Sequence, residues 1–313
     1  EARIARSERL RLLVRTPTVV IGAVIIAFWV FCAVFPGLVA PHDPIFDNQF
    51  TPTTKPSWAH LLGTDTNGRD VLSRVLAGSR NILLIAPAAT LLGTVLGTML
   101  GLVTGYLRGI VDDVVSRFID AVMSLPLIVT AILIVTAVGK TGTWVVVLVI
   151  GLIFAPVVSR TVRAAVLTEA ELDYVQAARL RGERAPYIMA SEILPNVMSP
   201  VVVEFTVRLG YAIFTVASLT FIGFGVAPPS PAWAAQINQY WTLVDPYWWM
   251  TFFPALAIAS LVVAVNLVAD GIRGLAQELE LDEVAVVTWA YDESVRLESY
   301  RLLAQEMGLS PPP

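Results

Sequence analysis

Charge is scarce in this chain of 313 residues. Only 15% are Asp, Glu, Lys or Arg, where a soluble domain carries about 25%. Cysteine is nearly absent: Cys32 stands alone, so no intrachain disulfide can form and the sequence is silent on redox compartment. There are two histidines, His42 and His60. Asp43 and Asp65 lie near them, but the spacing makes no recognisable metal-ligand cluster, and the four read as turn residues. What the chain has in abundance is apolar residues, 56% of the total, with a mean hydropathy of +0.71. These proportions exclude a soluble enzyme, a disordered chain, a disulfide scaffold and a nucleic-acid binder. They leave an integral membrane protein of several helices.

The formal charge of −4 is unevenly spread. From Glu280 onward stand seven acids and two bases, so that stretch is −5 and everything before it is +1. The acidity belongs to residues 280–313, expected as an acidic cytoplasmic tail, and says nothing about a substrate. Within it, Val295, Leu302 and Met307 share one side of a possible amphipathic helix.

Charged side chains are costly in hydrocarbon, so the gaps between them locate the membrane spans. Six apolar runs emerge, at about 18–40, 82–106, 119–139, 143–165, 197–225 and 249–271. Each can cross a hydrocarbon core of about 30 Å at about 1.5 Å per helical residue. Strands of about ten alternating residues, as a closed barrel needs, are not seen. Helices satisfy their own backbone groups in lipid, so the expected fold is an all-α, polytopic bundle of about six spans over residues 17–279. The first run exceeds a signal-peptide core and Pro41 would directly follow a cut, so a retained first helix is expected. Lys and Arg set the orientation. With residues 1–16 placed in the cytoplasm, fifteen bases fall inside and five outside, with Arg208 within a span, which puts both termini inside. Trp144, Trp241, Trp248 and Trp249 then fall at the outer interface.

Two connections stand out. Residues 41–80 form an outer segment, rich in proline at its start, in which Val71, Leu72, Val75 and Leu76 predict a short helix on the outer surface. Residues 167–196 form the largest cytoplasmic loop. Its acids come first and its arginines last, complementing a helix dipole. Gly182 is a natural stop, and Pro186 suits the first turn of a second short helix running to Leu194-Pro195-Asn196. The result is helix, tight turn, helix, with Ala177 and Ala178 leaving room for close approach. Physics alone leaves open whether this is a partner-docking element or a polar connector.

These residues resemble the EAA loop of bacterial ABC importer permeases. Ala177-Ala178, three residues, Gly182, nine residues, position 192, one residue and Leu194-Pro195 match that loop's spacing. Further blocks are similar to the second permease subunit of the dipeptide/oligopeptide/nickel family. They are Leu62 to Arg74, Ser124-Leu125-Pro126, Ala217 to Gly225, Pro228 to Trp233 and Asn266 to Arg273. The likeness covers about residues 10–275. The chain departs from it at Gln176, where the loop pattern has Glu, at Glu192, where it has a hydrophobic residue, and at Ala234, where Gly usually follows the Trp. The resemblance implies a type I ABC importer permease fold and a subunit with no catalysis of its own. It implies docking on cytoplasmic ATPases through Tyr174, Gln176, Ala177, Ala178, Arg181, Gly182, Pro186, Tyr187, Leu194 and Pro195. The implied partners are a sister permease, two ATPase subunits or domains that bind ATP and Mg, an external substrate-binding protein and the bilayer. The implied cargo is di- or oligopeptides, with nickel or another small solute as the alternative.

Competing motifs are weaker. Gly139-Lys140-Thr141 resembles the end of a phosphate loop, but Ile134 stands where its first Gly belongs and no strand-to-helix context surrounds it. No metal or cofactor site is expected in this chain. Glu204 and Arg208 lie four apart on the fifth span and share a face, as a cargo-pathway contact or as a mutual ion pair at an interface. Pro87, Pro126, Pro156 and Pro200 are positioned to kink helices. Gly93, Gly97, Gly101 and Gly105 form a small face for close packing. A self-sufficient secondary transporter would need an intramembrane relay, for which only Glu204 and Arg208 qualify. A membrane-embedded enzyme lacks paired acids, a Ser/His couple or a metal cluster.

Overall fold

The computed structural model describes residues 17–46, 48–139, 142–226 and 228–278. The expectations for residues 1–16, for Lys140 and Thr141 and for the tail 280–313 with Val295, Leu302 and Met307 lie outside the described residues. One compact unit ends at Gly271, and residues 272–278 of the second unit are described only as helix.

Among the described residues there are no strands beyond a single bridge between Thr64 and Asp70. The helices that carry the fold are α1 (Pro17–Val34), α2 (Val71–Leu107), α3 (Gly109–Met123), α4 (Leu127–Val138) and α5 (Thr143–Glu169). After them come α6 (Asp173–Leu180), α7 (Met198–Phe221), α8 (Trp233–Tyr240) and α9 (Trp249–Glu278). Five are long and apolar enough to cross a membrane, and the bent pair α3 and α4 brings the number to six.

Three expectations need correction. The short outer helix at Val71 is not separate: those residues are the first turns of α2, which continues for 37 residues. Asp70 caps it, its carboxylate accepting from the Ser73 amide at 2.9 Å and the Ser73 hydroxyl at 2.7 Å. A helix of that length spans about 55 Å, well beyond the hydrocarbon, so its first turns stand clear of the apolar core. The third span is not one rod. It is bent by 94° between α3 and α4 at Ser124-Leu125-Pro126. The proline, which has no amide hydrogen to donate, stands just before α4. Trp249 does not sit at an interface. It is buried, and its indole donates to the Thr64 carbonyl at 3.1 Å. Trp144, Trp241 and Trp248 are exposed.

The other prolines split. Pro87 and Pro156 lie inside helices that run on through them, Pro200 sits in the first turn of α7, and Pro254 lies inside α9. The four glycines of α2 settle as packing residues within the bundle. A Cβ at Gly93, Gly97, Gly101 or Gly105 would come within 2.6–2.8 Å of Phe154, Val158, Val162 or Val166 of α5. The small face therefore lets two helices approach backbone to side chain. On the other side, α1 lies against α9, with Gly22 over Ala264 and the Trp29 indole donating to Ser260 at 2.9 Å.

The segment before α2 closes over its start as a lid, through buried polar groups. Asp65 is wholly buried, receives the Tyr240 hydroxyl at 2.9 Å and stands 3.6 Å from the Arg74 guanidinium. Arg74 also donates to the Pro44 carbonyl at 2.7 Å. The Trp233 indole donates to the Val75 carbonyl at 2.6 Å, which ties α8 to α2. His42 and His60 are turn residues in this lid, their rings beside Phe50 and their Nδ1 atoms 3.7 and 3.3 Å from Asp70. No group of three or more His, Cys, Asp or Glu suited to a metal ion occurs among the described residues.

Candidate docking site and intramembrane charges

The loop between α5 and α7 folds as a knuckle. Its first arm is α6, which ends in a left-handed glycine: Gly182 has φ of +78°. The Gly182 amide donates to the Arg179 carbonyl at 3.0 Å and the Glu183 amide to the Ala178 carbonyl at 3.2 Å. This is the double closure of a Schellman motif, which satisfies the orphan carbonyls of a helix end. The second arm is not the single short helix expected from Pro186 to Asn196. It begins as a turn at Ala185–Tyr187, widens into a π-helix over Ile188–Ile193 and tightens again at Leu194–Asn196. Pro195 accounts for part of this, since it cannot donate back to position 191.

The knuckle has its own apolar interior. Val175 and Ala178 on the first arm meet Ile188 and Ile193 on the second, over Val162 and Val166 of α5 and Val197 and Val201 at the entry to α7. Ala178 thus makes room for its own chain rather than for a partner, and Leu194 and Tyr174 pack against the same cluster. The Tyr174 hydroxyl donates to the Glu169 carboxylate at 2.5 Å and accepts from the Asn196 amide at 2.9 Å. Burial, reinforced by that carboxylate, pushes its pKa well above the usual tyrosine value. Gln176 bonds the Ala170 carbonyl at 3.3 Å.

The expected docking residues therefore divide. Tyr174, Gln176, Ala177, Ala178 and Leu194 build or flank the interior, while Arg181, Gly182, Pro186, Tyr187 and Pro195 are on the outer surface. Arg181 pairs with Glu183 at 2.7 Å and reaches Glu192 at 3.8 Å, so the polar residue at position 192 has a local partner. The sequence pattern missed Leu180, which is 90% exposed at the knuckle's tip. An apolar side chain two residues before a helix-stopping glycine was the available signal.

Glu204 and Arg208 form the expected ion pair, 2.9 Å apart and largely covered. Thr161 of α5 donates to Glu204 at 2.9 Å, and the Arg208 guanidinium stands 5.4 Å from the centre of the Tyr211 ring. The structure adds two pairs that the pattern did not single out. Arg163 grips Asp112 through two bonds of 2.6 and 2.5 Å, with Ser116 donating to the same carboxylate at 2.9 Å. Arg160 pairs with Asp120. Asp112, Ser116 and Asp120 recur every fourth residue on α3, a spacing that already marks a polar face turned to one neighbour. For the phosphate-loop fragment, the element before Gly139 is the helix α4 and not a strand.

Apolar spanning helices, one of them broken in mid-course, with a folded knuckle on one connection, define a membrane-embedded transport subunit. Residues 97–277 match the family described as binding-protein-dependent transport system inner membrane component, and the chain belongs to that family. It is 36% identical to the di/tripeptide transport system permease protein DppC of Pseudomonas aeruginosa, over 80% of this chain and 85% of that one. It is 38% identical to the dipeptide transport system permease protein DppC of Escherichia coli K12, over 83% and 88%. A peptide permease protein of Brucella abortus, so described provisionally, is 31% identical over 81% and 84%. In fold, the chain matches one from the MetNI methionine ABC transporter, solved in inward-facing conformations. The TM-score is 0.53 with 19% identity, covering 64% of this chain and 96% of that one.

Proposed function

We infer that this permease serves an ATP-driven importer of di- or oligopeptides, with both termini and the knuckle on the cytoplasmic side. The cargo reading rests on the peptide permeases to which the chain is similar over 80% or more of its length. The orientation rests on the excess of Lys and Arg on the side that carries the knuckle. A sister permease completes the pathway, two ATPase subunits or domains hold ATP and Mg, and an external binding protein delivers the cargo. This chain supplies half of the conduit and no catalytic group.

The observation that carries the coupling role is the build of the knuckle. Its inner face is a closed apolar cluster continuous with α5 and α7, whereas its tip offers Leu180, Arg181 and Tyr187 to the outside. A push on the tip is therefore transmitted as a rigid-body displacement of two spanning helices rather than absorbed by a soft loop. ATP-driven closure of the ATPases supplies the differential binding that shifts the permease pair between inward-open and outward-open states.

Gly182 provides the test. A Cβ there meets nothing within 4 Å, so a side chain is penalised only by the positive φ. Gly182→Asn tolerates that conformation and Gly182→Val does not. In proteoliposomes holding the whole importer, the Asn variant should keep peptide uptake, and the Val variant should hydrolyse ATP without uptake or fail to retain its ATPases. Full uptake by the Val variant refutes the docking turn. A panel of peptides and nickel in the same assay decides the cargo.

A further inference from the structure

An open groove of about 670 Å³ runs between α1, α2, α7 and α9. Ile26, Val30 and Val34 line it from α1, Pro87 from α2 and Ile213 from α7, and every described residue that lines it is apolar except Arg80. Its height in the membrane follows from α1. That helix has 18 residues and no charge, a length of about 27 Å that does not outrun the hydrocarbon. The groove takes its α1 residues from the second half of that helix. From there the chain soon reaches the lid at His42, whose amide donates to the Ser73 hydroxyl at 3.1 Å. The groove therefore lies in the leaflet on the lid side.

Arg80 stands at its rim. It follows Arg74 of the lid by six residues and precedes the apolar run that begins at 82. Its neighbour Asn81 donates to the Ser230 hydroxyl at 3.1 Å, so this stretch of α2 is still level with polar groups. Arg80 is exposed and makes no ion pair or hydrogen bond with a described residue. A guanidinium at the edge of hydrocarbon settles by reaching up to the headgroups, where phosphates stand.

Two observations favour a lipid over a helix as the occupant. Helices of this protein meet through small residues, as at Gly93 to Gly105 against α5 and Gly22 over Ala264, the usual requirement in a membrane. The groove is walled instead by larger aliphatic side chains, which hold a helix off and leave room for a thin, flexible chain. A covering helix would also have to bring an acid to Arg80, whereas a phospholipid carries its phosphate at that height. An acyl chain gains little by leaving the bilayer for an equally apolar groove, so the headgroup decides which lipid is held.

We propose that the groove holds an anionic phospholipid of the lid-side leaflet, with an acyl chain along α1 and α7 and its phosphate on Arg80. The site does not depend on which cargo the importer carries.

The test uses the complete importer in vesicles of phosphatidylcholine with a minor share of phosphatidylglycerol. Trace amounts of either lipid carry a photoactivatable diazirine on one acyl chain, and mass spectrometry locates the adducts after illumination. At residues 26–34 and 82–87 the wild type should favour the phosphatidylglycerol probe about fivefold over the preference shown elsewhere on the chain, the effect of one cation near the surface. Arg80→Gln should abolish that excess and Arg80→Lys should keep it. Should Arg80→Gln not assemble, added salt, which screens an exposed charge, should erase the wild-type excess in its place. Equal labelling by both probes, or an excess that survives Arg80→Gln, overturns the headgroup site. Absence of adducts in the groove while other apolar surfaces are labelled means that the sister permease covers it, which overturns the lipid site and leaves the import reading standing.

Discussion

The lid and the knuckle solve opposite problems with opposite chemistry. The lid encloses charge: Asp65 and Arg74 have no more than 1% of their surface exposed, and Tyr240 reaches 175 residues along the chain to bond Asp65. The knuckle's interior is an apolar cluster with its ion pairs at the rim: Arg108 with Glu171 in the open, and the exposed Arg181 with the partly covered Glu183. A buried polar network is unforgiving, because every member must stay satisfied. It suits a surface that holds one shape. An apolar cluster with a charged shell is indifferent to what touches its shell, which suits the docking role proposed for it.

The sharpest way to break this contrast is at Arg74. Removing one partner of a buried ion pair leaves the other uncompensated, at a cost of about 3–5 kcal/mol. Arg74→Ala should therefore lower the melting temperature of the purified permease more than any single change in the knuckle. The double variant Asp65→Leu, Arg74→Met should recover much of that loss, since apolar replacement of a whole buried pair is often near neutral. A double variant no better than the single would mean that Tyr240 and the Pro44 carbonyl, not the charges, hold the lid.

The seam between α2 and α5 links the two regions and has its own weak point. At Gly97 a Cβ would stand 2.6 Å from the Val158 Cβ and 2.7 Å from the Ala155 carbonyl. Neither neighbour is the free end of a flexible chain. Gly97→Leu should cost about 1–3 kcal/mol by overpacking, read as a lower thermal midpoint in detergent, with the largest rise in hydrogen exchange along both helices. Exchange that rises only in the lid would place the mechanical link elsewhere.

How much of this was legible beforehand follows from which forces act over a distance in sequence. The spans could be read because excluding charge from hydrocarbon leaves a one-dimensional mark. The knuckle's turn could be read because Gly182 alone fixes a helix end. The break at Ser124 to Pro126 was visible only as a proline in an apolar run, and Pro87 and Pro156, equally visible, break nothing. Whether a proline bends a helix depends on what packs against the freed carbonyl, which is a tertiary fact. Trp249 was misplaced for a similar reason. An indole at a span's edge satisfies its N–H with interface or with protein, and here the Thr64 carbonyl offers the partner. The pairs of Asp112 with Arg163 and Asp120 with Arg160 join residues 51 and 40 apart, beyond the reach of any local pattern.

The smallest effect lies inside the knuckle. Tyr174 joins Glu169, at the end of α5, to Asn196, at the approach to α7, so its hydroxyl fastens the two arms. Tyr174→Phe should cost about 1 kcal/mol, the net worth of such bonds where no group is left deeply buried and unpaired. The pH dependence has a definite sign. The folded hydroxyl holds its proton above the ordinary pKa of 10.0, so its contribution is complete below that value. It fades as pH rises from there toward the raised folded value, where the unfolded chain has already ionised. Hydrogen exchange across residues 173–196 should therefore accelerate above pH 10 beyond the intrinsic rate in the wild type, and not in Tyr174→Phe. The lid should show a parallel loss through Tyr240, whose pKa is also raised, chiefly by burial. The two regions then separate by variant: Tyr174→Phe removes the alkaline response of the knuckle and leaves that of the lid intact. Loss of both responses in that one variant would mean that knuckle and lid unfold as a unit, and the division of labour between them would not hold.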